Sequence, residues 1–160
     1  MASVPIRYLP KSLSKKDRTR QREGLKRSRQ AYKRGRYISR PSVKSFKSRK
    51  SRHVKTAETM YGIKSLRLNQ DLAKRTRCRL EGLKQIMRKG QGAFYSSGSR
   101  PKQTAHSWGY ARLASSITGG NAAAVDNHIL EKYCKPTSKA LRLSRRAKKR
   151  RTRRVEKVKL

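Results

Sequence analysis

Apolar residues are sparse at both ends of this chain and recur at helical spacing between them. Val54, Ala57 and Met60 fall three apart and predict a helix that Gly62 stops. Asn69 is a good N-cap for a short helix carrying Leu72 and Ala73. Leu80, Leu83, Ile86 and Met87 form the apolar face of a further helix ending at Gly90. The Gly- and Ser-rich stretch 90–101 reads as a loop holding the pair Phe94 and Tyr95. Thr104 caps a helix to Thr118, with Trp108, Ala111, Leu113 and Ile117 for burial, and Gly119-Gly120 breaks it. Asn121 caps a last core helix with Ala122, Val125, Ile129 and Tyr133 on its face, stopped by Pro136. Period-2 alternation never lasts more than four apolar positions. The pattern predicts an all-α fold whose small core has four to five short helices.

The flanks read differently. Lys15–Lys33 has strong helix formers with a weak apolar spacing at Leu25 and Tyr32, a break near Gly24 and an end at Gly35. Arg36–Arg52 alternates Ser with Lys or Arg and reads as extended. Near the start, Ile6, Tyr8 and Leu9 between Pro5 and Pro10 suggest a short anchor that docks on a neighbour. Ser138–Leu160 reads as one basic helix projecting from the core. The expected organisation is a long basic N-terminal arm over 1–52, partly helical and partly extended. A helical core follows over 53–135, then a basic C-terminal helix or tail over 136–160.

Charge changes the picture more than length does. The 160 residues carry 46 Lys or Arg against 8 Asp or Glu, a net +38. Residues 1–55 are net +18, residues 135–160 net +12 and the stretch between them +8. Such a chain repels itself in water, so a function defined by an acidic partner is expected rather than one defined by a pocket. The core window of about 80 residues is near the size at which stability is marginal. No apolar run approaches the ~20 residues that span a bilayer, and the first ten residues lack the apolar stretch of a signal peptide.

Candidate chemistry is thin. Leu72 to Cys78, followed by Leu80, Leu83 and Ile86, has the cadence of a helix-turn-helix, which would turn Lys84, Arg88 and Lys89 toward a duplex. Arg77 stands at the turn, where a left-handed backbone favours Gly. The other option is a simple helical hairpin. Lys89-Gly90-Gln91-Gly92 and the serines that follow lack the Gly-Lys-Ser/Thr of a phosphate-binding loop. No motif joins His106, Asp126, His128 and the serines into a catalytic group, and no metal spacing is present, so no enzyme activity, metal, cofactor or small-molecule substrate is expected. Cys78 and Cys134 read as free thiols of a reducing compartment, with a disulfide as the other option.

The candidate polyanion contacts are therefore the arms and the helix after the turn. They are Arg18, Arg20, Arg22, Arg27, Arg34 and Arg36, then Lys84 and Arg88, then Arg145, Arg146, Arg150, Arg151, Arg153 and Arg154. Tyr8, Tyr32, Tyr37 and Phe46 lie among these charges, placed to stack on bases or to fill pockets in a protein.

The run Ala93-Phe94-Tyr95-Ser96-Ser97-Gly98-Ser99-Arg100-Pro101 leads into Gln103-Thr104-Ala105-His106-Ser107-Trp108-Gly109-Tyr110-Ala111-Arg112-Leu113-Ala114. With Ala122-Ala123-Ala124-Val125-Asp126, Ile129-Leu130-Glu131-Lys132 and the opening Tyr8-Leu9-Pro10-Lys11-Ser12-Leu13, it resembles a small basic family of large nucleocytoplasmic DNA viruses of algae and protists. The likeness spans most of the chain and is weakest in the last 25 residues. It implies a viral protein and carries over no functional residue; at Arg77 the chain departs from the family's Gly. Two function classes follow. One is a minor capsid protein of the virion, assembled in the host cytoplasm or nucleus. Its arms would lie on acidic surfaces of major and minor capsid proteins or on anionic headgroups of an inner membrane. The other is a protein that condenses or packages the viral DNA, with a ribosome-like RNA-scaffold role as a further variant.

Overall fold

In chain order, β1 (Ser3–Pro5) and a 3-10 turn (Ile6–Tyr8) lead into α1 (Lys15–Lys33) and α2 (Arg52–Met60). Then come α3 (Gln70–Thr76), α4 (Leu80–Ser96), α5 (Ala105–Ile117), α6 (Asn121–Val125), α7 (Asn127–Tyr133), α8 (Lys139–Lys149) and β2 (Lys157–Lys159). This computed structural model describes residues 2–150 and 154–160. The protein is mostly helical, as expected. Its eight α-helices among the described residues exceed the four to five anticipated.

The chain divides into two compact units. Unit 1 holds residues 2–49, 91–108 and 154–160; unit 2 holds 50–90 and 109–150.

Unit 1 buries Val4, Tyr8, Leu9 and Leu25, with Trp108, Val158 and Leu160 packed against them. The expected anchor thus docks on its own chain. Tyr8 meets Trp108 edge to face at 5.7 Å. Burial of Val158 and Leu160 draws the C-terminal residues out of the single helix expected for 138–160. They form β2, antiparallel to β1 with Val4 opposite Val158. Ser14 caps α1 by accepting from the Asp17 N–H at 3.2 Å. The buried face of α1 is Asp17, Gln21, Gly24, Leu25 and Ser28, so it is mainly polar and needs partners. Gln21 donates to the Tyr8 and Ser99 carbonyls, and Ser28 to the Tyr95 carbonyl. Gly24 does not break α1; it admits Arg40 and Pro41 close to the helix. Arg40 lies over the Phe94 ring at 3.8 Å. It donates to Ser28 Oγ, the Phe94 carbonyl and Ser99 Oγ at 2.9, 2.7 and 2.6 Å. Phe94 belongs to α4, which continues past Gly90 where a loop was expected. Interior Gly weakens a helix by only about 1 kcal/mol relative to Ala.

Unit 2 has the larger apolar cluster, which includes Leu72, Leu83, Ile86, Leu113, Ile117, Leu130 and Leu141. Asn69 caps α3 by accepting from the Leu72 N–H at 3.0 Å. A methyl at Gly82 would overlap the Tyr133 side chain, so this glycine sets a close approach. Tyr61, buried, donates its hydroxyl to the Ile117 carbonyl at 2.6 Å, and burial raises its pKa. The last core helix is two helices, because Asp126 interrupts it and leaves Val125 exposed.

Cys78 and Cys134 are bonded to each other, which corrects the free-thiol expectation. Their backbones approach as an isolated antiparallel bridge. Arg79 N–H donates to the Tyr133 carbonyl, and Lys135 N–H to the Arg77 carbonyl, at 2.8 and 2.9 Å. Sequence spacing alone does not reveal this, because 56 residues separate the pair. Closing such a loop restricts the unfolded chain and is worth about 4 kcal/mol. Cys78→Ser, or reduction of the parent, should therefore move the urea midpoint sharply down. An unchanged midpoint on adding reductant would show that the bridge contributes nothing.

Candidate polyanion interface

Four carboxylates pair with five cations among the described residues, in the contacts Lys50–Glu58, Arg75–Asp71, Lys89–Asp126, Arg112–Asp126 and Arg145–Glu131. These contacts engage few of the 46 basic side chains. The rest of the charge is carried mainly at the surface.

On α1 of unit 1, Arg20 and Arg27 are exposed, while Arg18 and Arg22 are half-buried. Arg18 donates to the Pro10 carbonyl at 3.3 Å. The Arg22 Nε is buried with no hydrogen-bond partner. Arg34 and Arg36 are exposed just beyond the helix, and Arg154 is exposed ahead of β2. The aromatics separate by burial. Tyr8 is a core residue and Phe46 is half-buried, whereas Tyr32 and Tyr37 are exposed and lie 5.9 Å apart, ring to ring.

In unit 2, Arg77 takes the left-handed conformation that its position in the turn demands, φ 56°, ψ 38°. The helix-turn-helix cadence thus corresponds to a real α3–turn–α4, with Lys84 and Arg88 exposed one turn apart. Cys78 of the disulfide lies within this turn, and Ser138 Oγ donates to the Thr76 carbonyl beside it at 2.6 Å.

Helix α8 carries a basic face. Ala140, Leu141, Ser144 and Ala147 are buried, and α8 packs on α6 and α7. Lys139, Arg142, Arg146 and Lys149 are exposed at i, i+3, i+7 and i+10, a single stripe. Arg145 beside it makes a two-pronged pair with Glu131 at 2.7 and 2.8 Å. Arg150 donates to the Gly119 carbonyl. Of the expected contacts, Arg151 and Arg153 lie outside the described residues. Lys139, Arg142 and Lys149 were missed as candidates because the stripe needs the helix phase, not the density of charge.

Asp126 anchors unit 2 from beneath. Its side chain is fully buried. It accepts from Lys89 Nζ of α4 at 2.9 Å, from two Arg112 nitrogens of α5 at 3.0 and 2.8 Å, and from Ser116 Oγ at 2.8 Å. Burial pushes the carboxyl up, but the bonds from Arg112, Lys89 and Ser116 outweigh it and hold the group below its ordinary value. No sequence motif marks this residue, because its partners come from two other helices, α4 and α5. Arg40 in unit 1 was likewise unmarked. Its guanidinium is pushed down to about 10 by burial.

Residues 5–132 match a family described as a family of unknown function, DUF5824. No curated protein and no solved structure matches the chain. The match covers the segments quoted above for the resemblance, and it assigns neither an origin nor an activity.

The depressed value of Asp126 has a definite sign. Its stabilisation is complete above the unfolded carboxyl value of about 3.9 and is lost as pH falls through the lower folded value. Asp126→Asn leaves Lys89 and Arg112 without their shared counter-charge and should destabilise by about 3 to 5 kcal/mol near neutrality. Thermal melts of parent and variant should converge as pH drops below about 4. A constant difference across that range would show that the charge is not what matters.

Proposed function

We propose that this chain, which belongs to the DUF5824 family of unknown function, binds a phosphate polyanion, nucleic acid, through cations that its own carboxylates leave unneutralised. The observation carrying this is the α8 stripe Lys139, Arg142, Arg146 and Lys149. A helix face with its apolar side buried presents four cations in register, outside the ion pairs described above. Each Arg can hold a phosphate with two parallel N–H bonds, and each Lys acts as a point charge. Contacts of this kind position a backbone without reading its sequence. Lys84 and Arg88 after the α3–α4 turn add a second patch suited to the same ligand.

Counterion release then governs affinity, and log K should fall linearly with log salt at a slope of about −0.9 per phosphate on duplex DNA and about −0.7 on single strands. Arg142→Glu with Arg146→Glu should reduce the magnitude of that slope and weaken binding across all sequences. Fluorescence anisotropy over a salt series measures both. An unchanged slope removes α8 from the interface.

A second function, a minor capsid protein of the virion, draws support from β1 and β2. The chain ends form a two-stranded sheet, so each strand has one edge outside that pairing, and an edge of this kind can accept a strand from a neighbouring subunit. In this role the chain should remain in nuclease-treated particles at fixed ratio to the shell protein, by quantitative mass spectrometry. Loss with the genome contradicts it.

A further inference from the structure

Tyr37 is 67 % exposed, although it is held by aromatic neighbours. Its ring lies 5.9 Å from Tyr32 and 5.3 Å from Tyr95, at interplanar angles of 69° and 67°. Tyr95 in turn meets Phe94 at 5.1 Å, beneath the Arg40 guanidinium. The turn after α1 creates this arrangement. Gly35 adopts φ 73°, its N–H donates to the Tyr32 carbonyl at 2.9 Å, and the Arg36 N–H returns to the Ala31 carbonyl at 2.9 Å. The chain thus reverses at the end of α1 and brings Tyr37 back over Tyr32. Lys33, Arg34 and Arg36, all exposed, border the rings in sequence. Arg29 donates to the Ser97 carbonyl at 3.2 Å.

An apolar ring held in water with cations around it is a stacking surface that a strand of nucleic acid satisfies at both levels, base on ring and phosphate on Arg or Lys. Tyrosine loses little conformational freedom on binding, having two side-chain torsions, and here those are already restricted by Tyr32 and Tyr95. A second copy of a chain of net +38 is the wrong partner electrostatically. Paired bases are stacked on one another and offer no free face. We propose that the Tyr32–Tyr37–Tyr95 platform of unit 1 stacks an unpaired base, so that the protein binds single-stranded nucleic acid more tightly than its phosphate contacts alone provide. This platform rests on the phosphate contact proposed above and adds a base contact to it.

The test uses the full chain and three labelled probes: a short thymidine homopolymer, the same backbone without bases, and a duplex. Parent protein should bind the homopolymer more tightly than the abasic strand. Tyr37→Ala should lose about tenfold on the homopolymer, the scale of one base–aromatic stack. Its affinity for the abasic strand and its salt slope should stay the same. Tyr37→Phe should keep the parent affinity, since the ring is what stacks. Equal homopolymer affinity in parent and Tyr37→Ala, both melting at the same temperature, overturns the base contact and leaves the phosphate contact standing. Failure of the parent to bind any of the three probes at low salt overturns both. Self-association of the parent that Tyr37→Ala abolishes, with homopolymer affinity unchanged, assigns the platform to a second copy and overturns the base contact.

Discussion

Repulsion among forty-six basic side chains opposes any compact arrangement of this protein, and only eight carboxylates are available to offset it. Their placement follows from that scarcity. Asp126 is spent inside unit 2, where one carboxylate is shared by Lys89 and Arg112 and joins α4, α5 and the start of α7. Asp17 is used at the first turn of α1, accepting from the Ser45 N–H and hydroxyl at 2.8 and 2.6 Å, which hold its pKa down. A carboxylate there also suits the positive end of the helix. Where no carboxylate is left, the fold uses neutral groups. Arg40 has its charge solvated by two hydroxyls, a carbonyl and the Phe94 ring. The cross-link Cys78–Cys134 holds unit 2 without any charge at all.

Local signals in the sequence located most helices because each depends on a few neighbouring residues. Asn69, Thr104 and Gly62 mark their boundaries through caps and stops, and the structure has the corresponding bonds: the Ser107 N–H donates to Thr104 Oγ1 at 3.0 Å. Signals failed where a distant contact prevailed. Gly90 does not stop α4, in which Phe94 is buried with Arg40 over its ring. Gly24 does not break α1; it is buried against Arg40 and Pro41, which lie in contact distance of it. The break at Asp126 is invisible in the apolar spacing of Val125 and Ile129, since the carboxylate there faces cations that are distant in sequence. Residues 15–33 are a further case of a weak signal. Their polar buried face on α1, Gln21 and Ser28 among it, carries no hydrophobic periodicity to read.

The candidate interface was partly legible for the same reason. Density of Arg and Lys picked out α1 and the C-terminal region, but which cations line up and which are already engaged depends on helix phase and partners. Arg145 is tied to Glu131 and Arg150 to the Gly119 carbonyl, whereas Arg142 and Arg146 lie on one stripe. Tyr8 and Tyr37, equivalent by their surroundings in sequence, part company through burial.

If unneutralised charge is what the fold holds ready for a partner, an added polyanion must relieve it. Melting temperature of the purified protein at low ionic strength, with and without a short oligonucleotide, measures this directly. The melting temperature should rise with simple salt through screening, and should rise further with the oligonucleotide at low salt through binding to the folded state, the second effect fading as salt increases. A melting temperature indifferent to both salt and oligonucleotide would contradict a surface charge that strains the fold and recruits its ligand.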